Sequence, residues 1–206
     1  MKRIFTLSLI AVIFYACSTP TVHTIRKTAQ ESPYSNILVL YVNNNFETFR
    51  FDAEAYNLFT RGYISDATKQ YERRQMENYL YEKISPYCTT IKSVDVLSPN
   101  NCSYAYFTKI SDSLQIDAVL LVALNKSTSK TYRASTSNYN SSAGDYKVYD
   151  ATFDTYLLAR NNKQPIWMSR TDMKNKNAYR GRPGIKRKFA EVITKALQKE
   201  GYLQAP

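Results

Sequence analysis

The sequence predicts an α/β fold, an α+β sandwich in which one mixed sheet packs against helices. Apolar runs rich in β-formers at 35–42 and 116–124 are typical of buried strands. Amphipathic stretches with helical spacing separate and follow them. A stretch that alternates with period two around a polar turn indicates a β-hairpin. The predicted order is strand, helix, strand, helix, strand, hairpin, helix, and the helical links favour parallel crossovers among the first three strands.

The chain begins with the three parts of a secretory signal. Lys2 and Arg3 give a positive start, and an apolar run then extends to Ala16, directly before Cys17. A membrane-spanning helix needs about 20 apolar residues, so this run is too short to span a bilayer. We therefore predict that residues 1–16 are removed.

At Cys17 the sequence resembles the bacterial lipoprotein signal, in which the residue after the cleavage site is a lipid-modified cysteine. The resemblance implies that Cys17 carries acyl chains, each methylene contributing about 0.8 kcal/mol when buried. An ordinary secretory signal with a coincidental cysteine is the alternative. The polar segment 17–34 is predicted to be a flexible tether. Its lack of an acidic run after the cysteine, by resemblance to surface-export signals, favours an outer-membrane anchor that faces the periplasm.

A single domain, 35–206, is predicted to follow. Its first strand is 35–42, and a helix over 67–84 begins after Asp66 as the N-cap. Segment 43–62 mixes aromatic and charged residues and allows no assignment.

The middle of the domain supplies two further strands and a helix. An alternating strand is predicted at 90–97, a helix at 103–115 and a central strand at 116–124. The polar stretch 125–144, rich in Ser, Thr, Asn and Tyr, suits a long hairpin tip, extended strand ends or a mobile loop.

The hairpin and a last helix complete the domain. The hairpin pairs 145–160 with 165–171 around the turn "NNKQ". The helix lies within 184–203 and ends at Gly201. Its predicted buried side comprises Ile185, Phe189, Val192, Ile193, Ala196 and Leu197.

An Asp-Ala pair, Asp117 and Ala118, opens the central strand, and the hairpin turn precedes Trp167. With the anchored tether and the closing helix, these features resemble the TolB amino-terminal, CsgG and LpoB-like superfamily of α/β envelope lipoproteins. The resemblance covers about 35–203. It implies an envelope protein that works by binding.

Charge and cysteine content limit the partners. Loss of Lys2 and Arg3 with the signal lowers the formal charge from +11 to +9. A basic chain often binds nucleic acid, but an exported chain would not meet it, so anionic lipid headgroups, acidic glycans or an acidic protein are the relevant partners. A general basic surface with no particular ligand is the alternative. Cys88 and Cys102 could form a disulfide in an oxidising compartment, although the strand predicted between them separates their ends. Both states stay open.

The residues that most catalytic sites require are missing from the predicted domain. The one histidine, His23, lies in the tether, so no Ser-His-Asp or Cys-His site and no His/Cys zinc site is expected, and no cofactor is predicted. Asp150 and Asp154 lie on one side of a strand, about 13 Å apart, which is too far for a glycosidase pair. We predict that the protein is not an enzyme.

Two groups of residues are candidates for binding. Exposed tyrosines suit protein or glycan recognition, although tyrosine also fills cores and sheet edges. In a basic cluster near the start of the last helix, Lys186, Arg187 and Lys188 are predicted to lie in the first turn and to oppose the helix dipole, which suggests an acidic partner or phosphate-bearing headgroups. A solvated helix start is the alternative. The aromatic candidates are Tyr132, Tyr139 and Tyr146, and the basic candidates are Arg180, Arg182, Lys186, Arg187 and Lys188.

The sequence thus predicts a non-enzymatic, lipid-anchored envelope protein that binds another envelope protein or a polymer. The alternative is an oligomeric structural or secretion-channel component, with 125–160 as an assembling or inserting hairpin. A glycan-acting enzyme is a third hypothesis, but the sequence offers no suitable pair of catalytic carboxylates for it. Partner and oligomeric state are left open by the sequence.

Overall fold

One mixed sheet of six strands is present in the part of the chain that the computed structural model describes, which is residues 20–26, 32–43, 50–132, 146–162, 164–175 and 181–204. The strands follow the spatial order β1-β6-β5-β4-β2-β3. The predicted α/β class is confirmed. The strands are β1 (Thr21–Arg26), β2 (Asn36–Val42), β3 (Thr89–Lys92), β4 (Ala118–Tyr132), β5 (Tyr146–Ala159) and β6 (Trp167–Asn175).

The strand directions agree with the predicted connections. β2 pairs in parallel with both β3 and β4, as expected for strands joined by helices. β5 and β6 form the predicted antiparallel hairpin, and β4 pairs with β5 over its whole length. β4 is an interior strand that extends from the predicted central run into the polar stretch as far as Tyr132. The remainder of that stretch, 133–144, lies outside the described residues.

Three helices of the described residues correspond to the predicted ones at 67–84, 103–115 and 184–203. The cap at Asp66 is confirmed, because its side chain accepts a hydrogen bond from the backbone N–H of Thr68. In the described residues, no helix is both long and apolar enough to cross a membrane. The helices are α1 (Ala53–Tyr56), α2 (Gly62–Ser65), α3 (Ala67–Ile84), α4 (Ser93–Val96), α5 (Tyr104–Ser113) and α6 (Gly181–Lys199), with a π-helical turn, Asn57–Arg61, between α1 and α2.

The two faces of the sheet are covered differently. α3 and α6 pack on one face, where Phe153 of β5 contacts Phe189 of α6 at 4.3 Å between ring centroids. The connection from β2 to β3, which contains α3, and the connection from β3 to β4, which contains α5, move across the sheet in opposite directions. Because such connections are right-handed, α5 lies on the face opposite α3. That second face is fully buried at Leu40 and Leu121 but carries the exposed side chain of Arg170 on β6. Only part of it is therefore covered.

The tether prediction is wrong for residues 21–26. They form β1, which pairs antiparallel with β6 from Thr21 opposite Asp172 to Arg26 opposite Trp167. The physical reason is the free edge of β6, whose backbone N–H and C=O groups gain partners when an extended segment joins the sheet. Tether residues 17–19 and 27–31 lie outside the described residues.

The predicted strand 90–97 is only half correct. β3 ends at Lys92, and α4 follows at once. The carboxylate of Glu77 on α3 explains the change, because it accepts hydrogen bonds from the Ser93 hydroxyl (2.6 Å) and the Val94 N–H (2.7 Å). An acceptor that holds the free N–H groups of a first turn favours helix over strand.

The last helix begins earlier than predicted. α6 starts at Gly181, three residues before the predicted range. Ile185, Phe189, Ile193 and Leu197 are buried as predicted. Val192 and Ala196 are only partly buried, whereas Ala190 and Thr194 are buried in their place.

Asp117 ties the start of β2 to the start of β4. Its Oδ2 accepts hydrogen bonds from the backbone N–H groups of Ser35 (3.1 Å) and Asn36 (2.9 Å). We expect Asp117→Ala to lower the free energy of unfolding by about 1–3 kcal/mol, because two backbone donors lose a charged acceptor. Urea unfolding followed by circular dichroism measures this.

A matched control is Asp112→Ala, which removes an exposed ion pair with Arg160 (2.7 Å). It should cost less than about 1 kcal/mol. Equal losses in the two variants would contradict the assigned role of Asp117.

Candidate functional site

The uncovered part of the second sheet face forms a polar surface with a groove, which we call the open sheet face. Strand register places its residues in neighbouring rows. Thr152 of β5 lies opposite both Lys126 of β4 and Asp172 of β6, and Asp150 lies opposite both Thr128 and Lys174. The six residues of the open sheet face, all lining one groove, are Lys126, Thr128, Asp150, Thr152, Asp172 and Lys174.

Hydrogen bonds hold this surface in a fixed arrangement. The Thr152 hydroxyl donates to Asp172 Oδ1 at 2.6 Å. One row further, the guanidinium of Arg170 donates to both carboxylate oxygens of Asp154, from Nε at 2.7 Å and from Nη2 at 2.9 Å. The amide of Asn125 adds a donor at 2.6 Å. A preorganised polar surface of this kind loses little side-chain entropy when a partner binds.

The Asp154 pairing also bears on carboxylate chemistry. Asp154 is buried, and its two oxygens are occupied by Arg170 and Asn125. Asp150 stands four residues away on the same strand, in the row of Lys174. The two carboxylates therefore belong to different groups of contacts.

The basic residues of α6 do not form one exposed patch. Lys186 is buried, and its Nζ donates to Gln75 Oε1 at 3.2 Å and lies 4.0 Å from Glu72 Oε2. It also lies 5.9 Å from the centre of the Tyr41 ring. The prediction of an exposed cluster is therefore wrong for Lys186, because α3 and β2 approach this side of α6.

Arg187 and Lys188 are exposed but have partners of their own. The guanidinium of Arg187 lies 5.7 Å from the Tyr79 ring centre on α3. Lys188 donates to Glu191 at 3.1 Å, and this hydrogen bond holds the pKa of Glu191 below its usual value. Because α6 begins at Gly181, these cations lie beyond its first turn, so the predicted opposition to the helix dipole is also wrong.

The remaining candidates fall partly outside the described residues. Arg180 and Tyr139 lie outside them, as does Cys17. Tyr132 and Tyr146 face each other in the last described row of β4 and β5, and Arg182 lies in the first turn of α6. Their side chains are outside the described part, so the aromatic site stays a prediction.

The two cysteines of the possible disulfide are not bonded to each other in this structure. Cys88 and Cys102 are both free thiols. Cys88 precedes β3, and burial raises its pKa, whereas Cys102 follows both β3 and α4 and donates to the carbonyl of Pro99 at 3.4 Å. The intervening strand and helix separate them, as the sequence suggested.

A buried charge pair on α3 was missed by the sequence analysis. Arg73 and Glu77 are both fully buried, with Arg73 Nε 3.2 Å from Glu77 Oε1. Glu77 also accepts from the Tyr41 N–H and binds the start of α4, while Arg73 reaches the carbonyl of Leu97. Burial raises the pKa of Glu77, and Arg73 and the hydrogen-bond donors oppose this. The overlooked signal is that both residues fall in line with the apolar side of α3.

The described residues contain no group of three His, Cys, Asp or Glu side chains that could hold a metal ion. The open sheet face is instead built from Lys, Thr and Asp side chains in adjacent rows. These side chains can form hydrogen bonds and ion pairs.

Comparison with known proteins gives distant similarities to solved structures. No protein-family model and no curated protein sequence matches the chain. A PelC dodecamer from Paraburkholderia phytofirmans is similar at 12% identity, over 91% of this chain and 100% of that one, with a TM-score of 0.45. Lipoprotein GNA1162 from Neisseria meningitidis is similar at 11% identity, over 80% and 99%, with a TM-score of 0.41. The hypothetical protein CT253 from Chlamydia trachomatis is similar at 11% identity, over 83% of this chain and 98% of that one, with a TM-score of 0.38. The function must be inferred from the chain's own residues.

Proposed function

We propose that this chain is a non-enzymatic, lipid-anchored protein of the cell envelope that binds another envelope protein or an anionic polymer through its open sheet face. The observation that supports the proposal best is the groove across this face. Residues on the helix-covered side of β5 and β6 fill the core, for example Phe153 and Trp167. The opposite side carries a fixed polar ladder that the described chain leaves accessible. A partner with complementary charges would bury it.

The anchor supports the same function from the sequence. The signal in residues 1–16 would direct export before its removal, and the acyl chains on Cys17 would attach the mature chain to a membrane. Attachment confines the domain to a surface and raises its effective concentration toward partners there. We place the anchor in the outer membrane, facing the periplasm.

Photocrosslinking in cells with an intact envelope tests this function. A photoreactive benzoylphenylalanine replaces Lys126 on the open sheet face, and in a control chain it replaces Lys199, which is exposed on α6. We expect one dominant crosslinked product from position 126, identified by mass spectrometry, and none from position 199. Cys17→Ala should release the chain from the membrane fraction and weaken the product.

Other outcomes discriminate the alternatives. A product with the mass of two copies of the chain would favour an oligomeric structural component instead. Products of equal yield from positions 126 and 199 would contradict a specific binding face. An unchanged membrane fraction after Cys17→Ala would contradict the lipid anchor.

A further inference from the structure

The orientation of the domain follows from the way β1 joins the sheet. Thr21 pairs with Asp172, which lies in the row of Thr152 and Lys126. The start of β1 is therefore level with Lys126. The chain that precedes Thr21 leaves this row in the direction in which β4 continues toward the end of its hairpin.

The hairpin of β4 and β5 extends beyond its neighbour at this end. β6 stops at Asn175, opposite Tyr149. The three further rows, 130–132 paired with 146–148, form a two-stranded arm. Tyr132 lies six residue steps beyond Lys126, so at 3.3 Å per residue the arm reaches about 20 Å past the row of Thr21.

The chain between the anchor and β1 is shorter than this. Only four residue steps separate Cys17 from Thr21. Fully extended, they span at most about 14 Å, so the end of the arm reaches about 6 Å past the anchored cysteine when the sheet stands upright. The headgroup layer is itself about 5–7 Å thick on each side of a bilayer.

The composition of this end suits lipid headgroups rather than hydrocarbon. Lys130 in the arm is exposed, and Val148 is the one aliphatic residue in 125–132 and 146–150. Lys174, near the end of β6 beside the arm, is also exposed. Each basic residue near an anionic surface contributes about 1 kcal/mol of attraction.

We propose that β1 clamps the lipid anchor at the arm end of the sheet, so that the arm lies in the anionic headgroup layer of the anchored membrane. This inference rests on the lipid anchor of the proposed function. It adds a membrane-contacting surface, a lipid class and a fixed orientation. The open sheet face then stands upright on the membrane and is accessible from the side.

Site-specific fluorescence quenching in vesicles tests the orientation. The full lipidated chain, with Cys88→Ser and Cys102→Ala, carries one fluorophore at Thr131→Cys in the arm or at Asn161→Cys in the opposite turn. Vesicles of phosphatidylcholine and phosphatidylglycerol contain headgroup spin-labelled lipid as the quencher. We expect the arm label to be quenched several times more strongly than the turn label. The difference should shrink in phosphatidylcholine alone.

A second variant tests the clamp. Neighbouring strand residues direct their N–H groups to opposite sides, so His23→Pro with Thr24→Pro removes at least one bond of β1 to β6. We expect the preference for the arm label to fall in this variant while the chain still floats with the vesicles. An unchanged preference would show that β1 does not set the orientation.

Flotation separates failure of the anchor from failure of the orientation. A lipidated chain that does not float with vesicles overturns both the anchor and the orientation. A chain that floats, but in which the turn label is quenched as strongly as the arm label, overturns the orientation alone and leaves the proposed function standing. Quenching that is independent of phosphatidylglycerol overturns the role of anionic lipid.

Discussion

Replacement of Glu77 by alanine should lower the free energy of unfolding by about 3–5 kcal/mol, because it leaves the fully buried Arg73 without its counter-charge. The loss extends beyond the pair. Glu77 is also the acceptor for the Tyr41 N–H of β2 and for the Ser93 hydroxyl and Val94 N–H at the start of α4. The Glu77 side chain thus connects α3, β2 and α4.

Thermal unfolding of an unlipidated Cys17→Ser chain measures this effect. For a chain of this size each kcal/mol corresponds to about 2–4 °C, so the midpoint should fall by about 10 °C. Glu191→Ala is the matched control, because Glu191 forms comparable pairs with Lys188 and Lys195 on an exposed helix surface. It should cost less than about 1 kcal/mol.

The Glu77→Gln variant separates charge from hydrogen bonding. It keeps the shape and one acceptor oxygen but removes the counter-charge of Arg73. We expect an intermediate loss. A loss in Glu77→Ala no larger than in Glu191→Ala would contradict a structural role for the buried pair.

Elements whose determinants are local were predicted correctly. The apolar run of β2, the cap of α3 at Asp66 and the alternation of the β5–β6 hairpin each depend on residues a few positions apart. Such patterns can be seen in the sequence because the structure that they specify repeats within one element.

The errors concern elements that depend on distant residues. β1 is a strand because β6, about 140 residues later, offers it a free edge. α4 replaces the end of a strand because Glu77 supplies an acceptor. Lys186 is buried because Gln75, 111 positions away, and Tyr41 meet its ammonium group. No window of the sequence contains these partners.

The sequence predicted only part of the open sheet face. The spacing of Asp150 and Asp154 predicts that both carboxylates lie on one side of β5. The sequence could not show that Asp172 and Lys174 of β6 and Lys126 of β4 share the same rows. Register, rather than residue type, assembles a groove from three strands.

The two proposals constrain each other geometrically. If the arm lies in the headgroups, the rows of the open sheet face stand about 13–20 Å from the end of the arm along the strands. A partner at that height is a protein or polymer at the membrane surface. A soluble partner further away would have to approach the surface to bind.

Thr128→Trp should therefore abolish partner capture while it leaves folding and anchoring intact. Thr128 is exposed in the groove of the open sheet face, opposite Asp150, so an indole placed there fills the groove without entering the core. Blocking the centre of an interface costs about 2 kcal/mol or more, which corresponds to at least a tenfold loss of the crosslinked product from position 126.

Ser129→Trp is the matched control for this variant, because Ser129 is the exposed neighbour on the other side of the same strand. Both variants add one indole to β4, so any general effect on strand stability or aggregation is shared by the two. Loss of the crosslinked product in Thr128→Trp alone assigns binding to the open sheet face. Equal loss in both assigns it to the hairpin as a whole, and no loss in either contradicts a partner site on these strands.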